Sequence, residues 1–134
     1  MTRVKGWEKG LAAVIKTHQA LPSIYGVSDC YIICDDAVKA VTGERMYGDL
    51  MYSTEAGAAK QLKLRGFDNV EQAFAAKFET IPATLAQRGD IGVTESNGEI
   101  CGGVFTAIGF MVRDKDKITF LSYEYVKTAF KVGR

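Results

Sequence analysis

Apolar and polar residues alternate with two different periods along the chain, and the period changes near its middle. Residues 5–20 place Trp7, Leu11, Val14 and Ile15 at helical spacing, with His18 on the same face, and Pro22 ends that helix. The run Cys30-Tyr-Ile-Ile-Cys-Asp-Asp-Ala-Val-Lys-Ala-Val41 carries a second helical apolar face. Ser28 or Asp29 is placed to cap its first amides, and Thr42-Gly43 closes it with a residue suited to a left-handed cap. Residues 44–53 read as a surface loop. Thr54 opens an alanine-rich helix to about Leu64, ended by Gly66. Asn69-Val-Glu-Gln72 has the form of a capping box and leads into a short helix through about Phe78.

Beyond residue 90 the runs shorten and become rich in β-branched and aromatic residues. Ile91–Thr94, Ile100–Thr106, Ile108–Arg113, Lys117–Ser122 and Ala129–Val132 are separated by Gly, Asn and charged turns. Helices followed by strands predict an α+β fold, N-terminal helices packed on a C-terminal antiparallel sheet. Nothing in residues 1–134 resembles a linker or a repeat, so a single domain is expected.

Charge narrows the function classes. Seventeen basic and sixteen acidic residues leave a net +1, without the basic excess that phosphate backbones demand, so nucleic acid is not an expected partner. The densest charged run, Arg113-Asp-Lys-Asp-Lys117, alternates in sign and reads as a solvated hairpin turn. No stretch approaches the roughly 18 apolar residues of a membrane span. Asp35-Asp36 and Asp114/Asp116 lack the spacing of a calcium loop, and Gly102, Gly103 and Gly109 lack that of a phosphate loop. No metal and no cofactor is implied, and Gly102-Gly103 marks a bulge or a close backbone approach. Three cysteines at non-framework spacing point to free thiols made in a reducing cytoplasm.

The chemistry available lies in Leu21-Pro-Ser-Ile-Tyr-Gly-Val-Ser-Asp-Cys30. A thiol in the first turn of a helix sits beside unpaired amides and the positive end of the helix dipole, which favours thiolate. Cys30 is therefore the candidate nucleophile, while Cys34, one turn on, reads as inert packing.

Tyr25-Gly26, Asp29-Cys30 at a helix start, Thr42-Gly43 at its end and Arg88-Gly89-Asp90-Ile91 at a strand start together resemble the NlpC-type cysteine peptidases, papain-like enzymes that cleave cell-wall peptides. The order of parts is similar to a compact branch encoded among the tail-tip genes of tailed phages and gene-transfer agents. The resemblance implies a papain-like fold, Cys30 at the nucleophile position, and Tyr25 and Asp29 lining the substrate cleft. It also implies a place in the virion tail tip after synthesis in the host cytoplasm, beside the hub, distal tail or fibre-bearing proteins.

A cysteine peptidase also needs a histidine to share the thiol proton, which this family carries on the second strand after Gly-Asp. The corresponding stretch, Ile100-Cys-Gly-Gly-Val-Phe-Thr-Ala-Ile-Gly-Phe-Met-Val112, has none and leaves Cys101 or a polar group such as Thr106 for that place. The only histidine, His18, reads as a hydrogen-bonded residue of the first helix. Tyr31 follows the cysteine where the family carries serine, and its bulk is expected to narrow the cleft. Two functions follow: a virion protein with a degenerate peptidase fold, or a hydrolase acting on cell-wall peptide through Cys30. Tyr47, Tyr52, Tyr123 and Tyr125 suit either a partner surface or packing in the core.

Overall fold

A computed structural model describes all residues, 1–134. Four helices precede a six-stranded antiparallel sheet: α1 Trp7–Ala20, α2 Cys30–Thr42, α3 Glu55–Leu64 and α4 Val70–Ala75, then β1 Thr80–Ile81, β2 Ile91–Ser96, β3 Glu99–Thr106, β4 Gly109–Arg113, β5 Ile118–Leu121 and β6 Thr128–Phe130. The expected α+β architecture is therefore present.

Local chemistry explains the boundaries. Asp29, not Ser28, caps α2, accepting from the amides of Tyr31 and Ile32, and Gly43 ends the helix at φ +85°. Thr54 caps α3 through the Gly57 amide. Asn69 caps α4 by accepting from Gln72, but the Gln72 side chain reaches the Asp68 amide rather than that of Asn69, so the box is displaced by one residue. The helix also ends at Ala75, three residues short of Phe78, because Lys77 and Phe78 both turn back to the Phe74 carbonyl. Residues 44–53 form the loop expected.

The strand order is β1-β6-β2-β3-β4-β5. Consecutive strands β2 to β5 pair as hairpins, and the chain then returns across the sheet to insert β6 between β1 and β2. Two 3₁₀ turns, Ala83–Leu85 and Tyr123–Tyr125, meet on that return path. Each sheet face has its own core. One joins Ile33, Val38, Val41 and Phe74 to Ile91, Val93, Val104, Met111 and Phe130 under the helices. The other holds Phe105, Phe110, Val126 and Ala129. Gly92 pairs with Gly103, and their missing side chains leave room for the Phe110 ring, which meets Phe105 edge-on at 4.9 Å.

Two clamps hold the layers together. Asp90 is completely buried and accepts hydrogen bonds from Arg3 Nη2, Val132 N and Arg134 Nε through one oxygen, and from Gln87 N and Arg134 Nη2 through the other. The second clamp runs through His18, only 1 % exposed. Its Nε2–H donates to Asp36 at 2.7 Å, and its Nδ1 lies 2.7 Å from the Ser28 hydroxyl, which in turn accepts from Arg113. Arg113 also donates to the carbonyls of His18 and Leu21. Asp114–Lys117 forms the expected turn, but Arg113 is a tie from β4 to α1 rather than part of a solvated charge run.

Candidate functional site

The cysteines lie where α2 meets β3. The segment ahead of Cys30 is a tight loop closed by an Ile24–Ser28 bridge, with Ser28 N donating to Ile24 O at 2.9 Å. Gly26 sits at its tip with φ +85°, and a Cβ there would fall 2.2 Å from the Tyr52 carbonyl oxygen, so only glycine fits. The Asp29 carboxylate ties this loop to the helix. It accepts from Gly26 N at 2.8 Å, from Tyr31 N and Ile32 N at 3.0 and 2.9 Å, and from the Tyr52 hydroxyl at 2.8 Å. Tyr25 stands half-exposed beside it.

Gly102 lets the strand approach. A Cβ at this residue would lie 2.9 Å from the Cys30 carbonyl oxygen and 3.0 Å from Cys34 Sγ. The pairing of β2 with β3 continues without a break past Gly102 and Gly103, so these glycines mark a close approach and not a bulge. Cys34 is wholly buried, 3.4 Å from the Gly103 carbonyl oxygen, and is the inert packing residue expected. Cys30 and Cys101 are both partly exposed and free.

The activation expected of Cys30 is absent. Its thiol is pushed well up, first by the neighbouring Cys101 and then by burial, with the Gly102 amide acting the other way. Two of the first-turn amides of α2 are bound by the Asp29 carboxylate.

Of the two groups left for the histidine's place, Cys101 precedes Gly102 at the α2–β3 junction, whereas Thr106 is buried at the other end of β3, donating to the Gly109 carbonyl. His18, fixed between Ser28 and Asp36, has both ring nitrogens engaged. Tyr31 turns into the core, stacked on Phe74 with centroids 6.4 Å apart, its hydroxyl buried without a partner, and it also walls the small pocket beside Cys30. The pocket beside Cys30, walled by Tyr25, Asp29, Tyr31, Leu50 and Tyr52 among others, holds only about 50 Å³. Small-molecule sites typically occupy roughly 300–1,000 Å³. A groove of about 340 Å³ passes Gly26 and Met51 on the other side of the loop, and Cys30 is not among its walls. No three His, Cys, Asp or Glu side chains converge as metal ligands.

Sequence reading placed Cys30, Tyr25 and Asp29 together, as they are found, but weighed Cys101 no more heavily than Thr106. The signal was its position on the second strand after Gly89-Asp90. Of the four tyrosines suited to a partner surface or to the core, Tyr47 and Tyr52 turn inward, donating to Ala73 O and Asp29, while Tyr123 and Tyr125 are exposed.

Among solved structures, the chain is similar to the NlpC/p60 domain of the peptidoglycan hydrolase SagA, with 13% identity, a TM-score of 0.58, and coverage of 92% of this chain and 97% of that one. The likeness establishes the NlpC/p60 papain-like fold. No curated protein matches the sequence. A family profile matches residues 2–132, nearly the whole chain, and the protein thus belongs to the family described as Domain of unknown function (DUF6950).

Proposed function

We propose that this protein is a tail-tip component of a tailed-phage virion, in which an NlpC/p60 fold serves as a structural part and no longer hydrolyses peptides. The observation that carries the non-hydrolytic part is the place of the one imidazole, locked into the α1–α2 clamp with both ring nitrogens engaged. A histidine protonated in the reaction returns its proton to the leaving amine as a cation stabilised by a third group, a role that the thiol of Cys101 on β3 does not fill. Loss of the general base typically costs about two to four orders of magnitude in rate. The small pocket supports the same reading, since a cell-wall peptide does not enter about 50 Å³.

The tail-tip assignment rests on the resemblance in motif order. Tyr123 and Tyr125, exposed together after β5, are the residues offered to a neighbouring virion protein. The experiment is mass spectrometry of purified particles together with co-purification against hub and distal-tail proteins. Stoichiometric recovery with the particle supports the assignment, and a solitary monomer absent from particles overturns it. Muropeptide turnover by the wild type that disappears in Cys30→Ser would restore the hydrolase reading.

A further inference from the structure

We propose that β5, the outer strand of the sheet, is a dimerisation edge: it pairs antiparallel with β5 of a second copy of this chain about a twofold axis at Thr119, joining two six-stranded sheets into one. The proposal rests neither on the virion assignment nor on the cysteines.

The edge is open. Strand β5 pairs with β4 on one side and stands last in the strand order on the other. Asp114 N donates to Lys117 O across the turn at 2.9 Å, and bonded and non-bonded pairs alternate along an antiparallel ladder. Thr119 and Leu121 therefore direct their backbone groups to Val112 and Phe110, while the N–H and C=O of Ile118 and Phe120 point away from the sheet. No backbone bond outside the sheet reaches either residue. Natural sheets blunt an edge with a short strand, a proline or a charge. Strand β1, at the opposite edge, is two residues long and stops at Pro82. Strand β5 has neither proline nor charge between Ile118 and Leu121.

Self-complementarity selects a second copy as the occupant. A pair centred on Thr119 sets Ile118 opposite Phe120 of the second copy, and Phe120 opposite its Ile118, so every outward N–H and C=O of the strand gains a partner. The side chains of both residues already pack against the main core and would form one apolar row across the junction. Thr119 meets its own copy in the more closely spaced kind of pair, where two threonines exchange a hydrogen bond. Its hydroxyl is buried with no partner within the chain and gains one there by rotation about χ1. Charge fits as well. The register sets Lys117 opposite Leu121 and Asp116 opposite Ser122, so no like charges face each other. Lys117 and Glu124 make no ion pair in their own chain, and each end of the overlap brings the Lys117 of one copy toward the segment that carries Glu124 of the other. A parallel pair would instead stack Lys117 on Lys117. An overlap this short buries less than the roughly 1,200 Å² of a stable interface, so the dimer is weak and exchanges with monomer.

Sedimentation equilibrium of the full chain, kept reduced, is run from the low micromolar range to about 1 mM, where weak interfaces populate. The mean mass is expected to rise from 14.6 kDa toward twice that value. Amide hydrogen exchange followed by NMR then locates the contact without any variant. The Ile118 and Phe120 amides are expected to exchange at least about tenfold more slowly at the highest concentration than in dilute solution, while those of Thr119 and Leu121, already bonded to β4, change little. Thr119→Lys sets two like charges face to face on the axis and is expected to weaken association at least about tenfold, with the circular dichroism of the monomer unchanged. Three results would each overturn the proposal. One is a monomer at every concentration, which would leave the edge to an extended segment of a different protein. The others are association without slowed exchange at Ile118 and Phe120, and a folded Thr119→Lys that dimerises as tightly as the wild type.

Discussion

Asp90→Asn removes the charge of a completely buried carboxylate while keeping the shape of the side chain. In the wild type the buried carboxylate receives five hydrogen bonds, from two guanidinium groups and two backbone amides. Asparagine has one acceptor oxygen. Turned one way, its NH₂ confronts Gln87 N and Arg134; turned the other, it confronts Val132 N and Arg3. Either way one buried backbone N–H loses its acceptor, which costs about 1–3 kcal/mol. The two guanidiniums also lose their counter-charge, and removing one member of a buried pair typically costs about 3–5 kcal/mol. The Arg3 and Arg134 side chains are 12% and 23% exposed and recover part of their hydration, so the combined loss is placed at about 3–5 kcal/mol. The assay is urea unfolding followed by circular dichroism. With a slope of about 2 kcal/mol per molar urea, the midpoint should fall by about 2 M at unchanged slope. A fall of less than about 0.5 M would show that water replaces the carboxylate at the arginines, and the account of Asp90 as a clamp would be wrong.

Other perturbations test the site and its supports. Gly102→Ala sets a methyl 2.9 Å from the Cys30 carbonyl and 3.1 Å from the Phe74 ring, so it should cost about 1–3 kcal/mol; thermal unfolding reads the loss, and an unchanged Tm would refute the close approach. Tyr31→Phe removes a buried hydroxyl that has no partner and should raise Tm by about 3 °C, whereas a lower Tm would mean that the hydroxyl is satisfied. Burial alone would raise the Asp36 pKa, but hydrogen bonds from His18 and Arg45 hold it below the usual carboxylate value. Its stabilisation is therefore present above the unfolded value of about 3.9 and lost as pH falls through the lower folded value. Tm should fall below about pH 4, and Asp36→Asn should lower the neutral Tm while flattening that acid decline; an unaltered acid slope would exclude Asp36 as its source.

Much of the fold was legible because its signals are local. Caps at Asp29, Thr54 and Asn69, the stop at Gly43 and the switch from helical to strand periodicity each act within a few residues. Strand β1, of two residues, lay below any periodicity signal and exists because Thr80 and Ile81 pair with Phe130 and Ala129 far along the chain. The insertion of β6 between β1 and β2 is likewise a long-range outcome. The same distinction runs through the site. Cys30 was visible from its helix start, but its electrostatics were not, because they depend on burial and on a neighbour 71 positions away. Arg113 shows it again: its charge placed it in solvent, and its reach across to His18 and Ser28 placed it inside.

Gly102 turns the α2–β3 junction into a rigid stop. The strand lies so close to the Cys30 carbonyl that a side chain at residue 102 has no room, and β3 is an interior strand paired on both sides. A shift at the first turn of α2 therefore has no slack to absorb it and is passed to β2 and β4 together, so the helix start and the middle of the sheet move as one body.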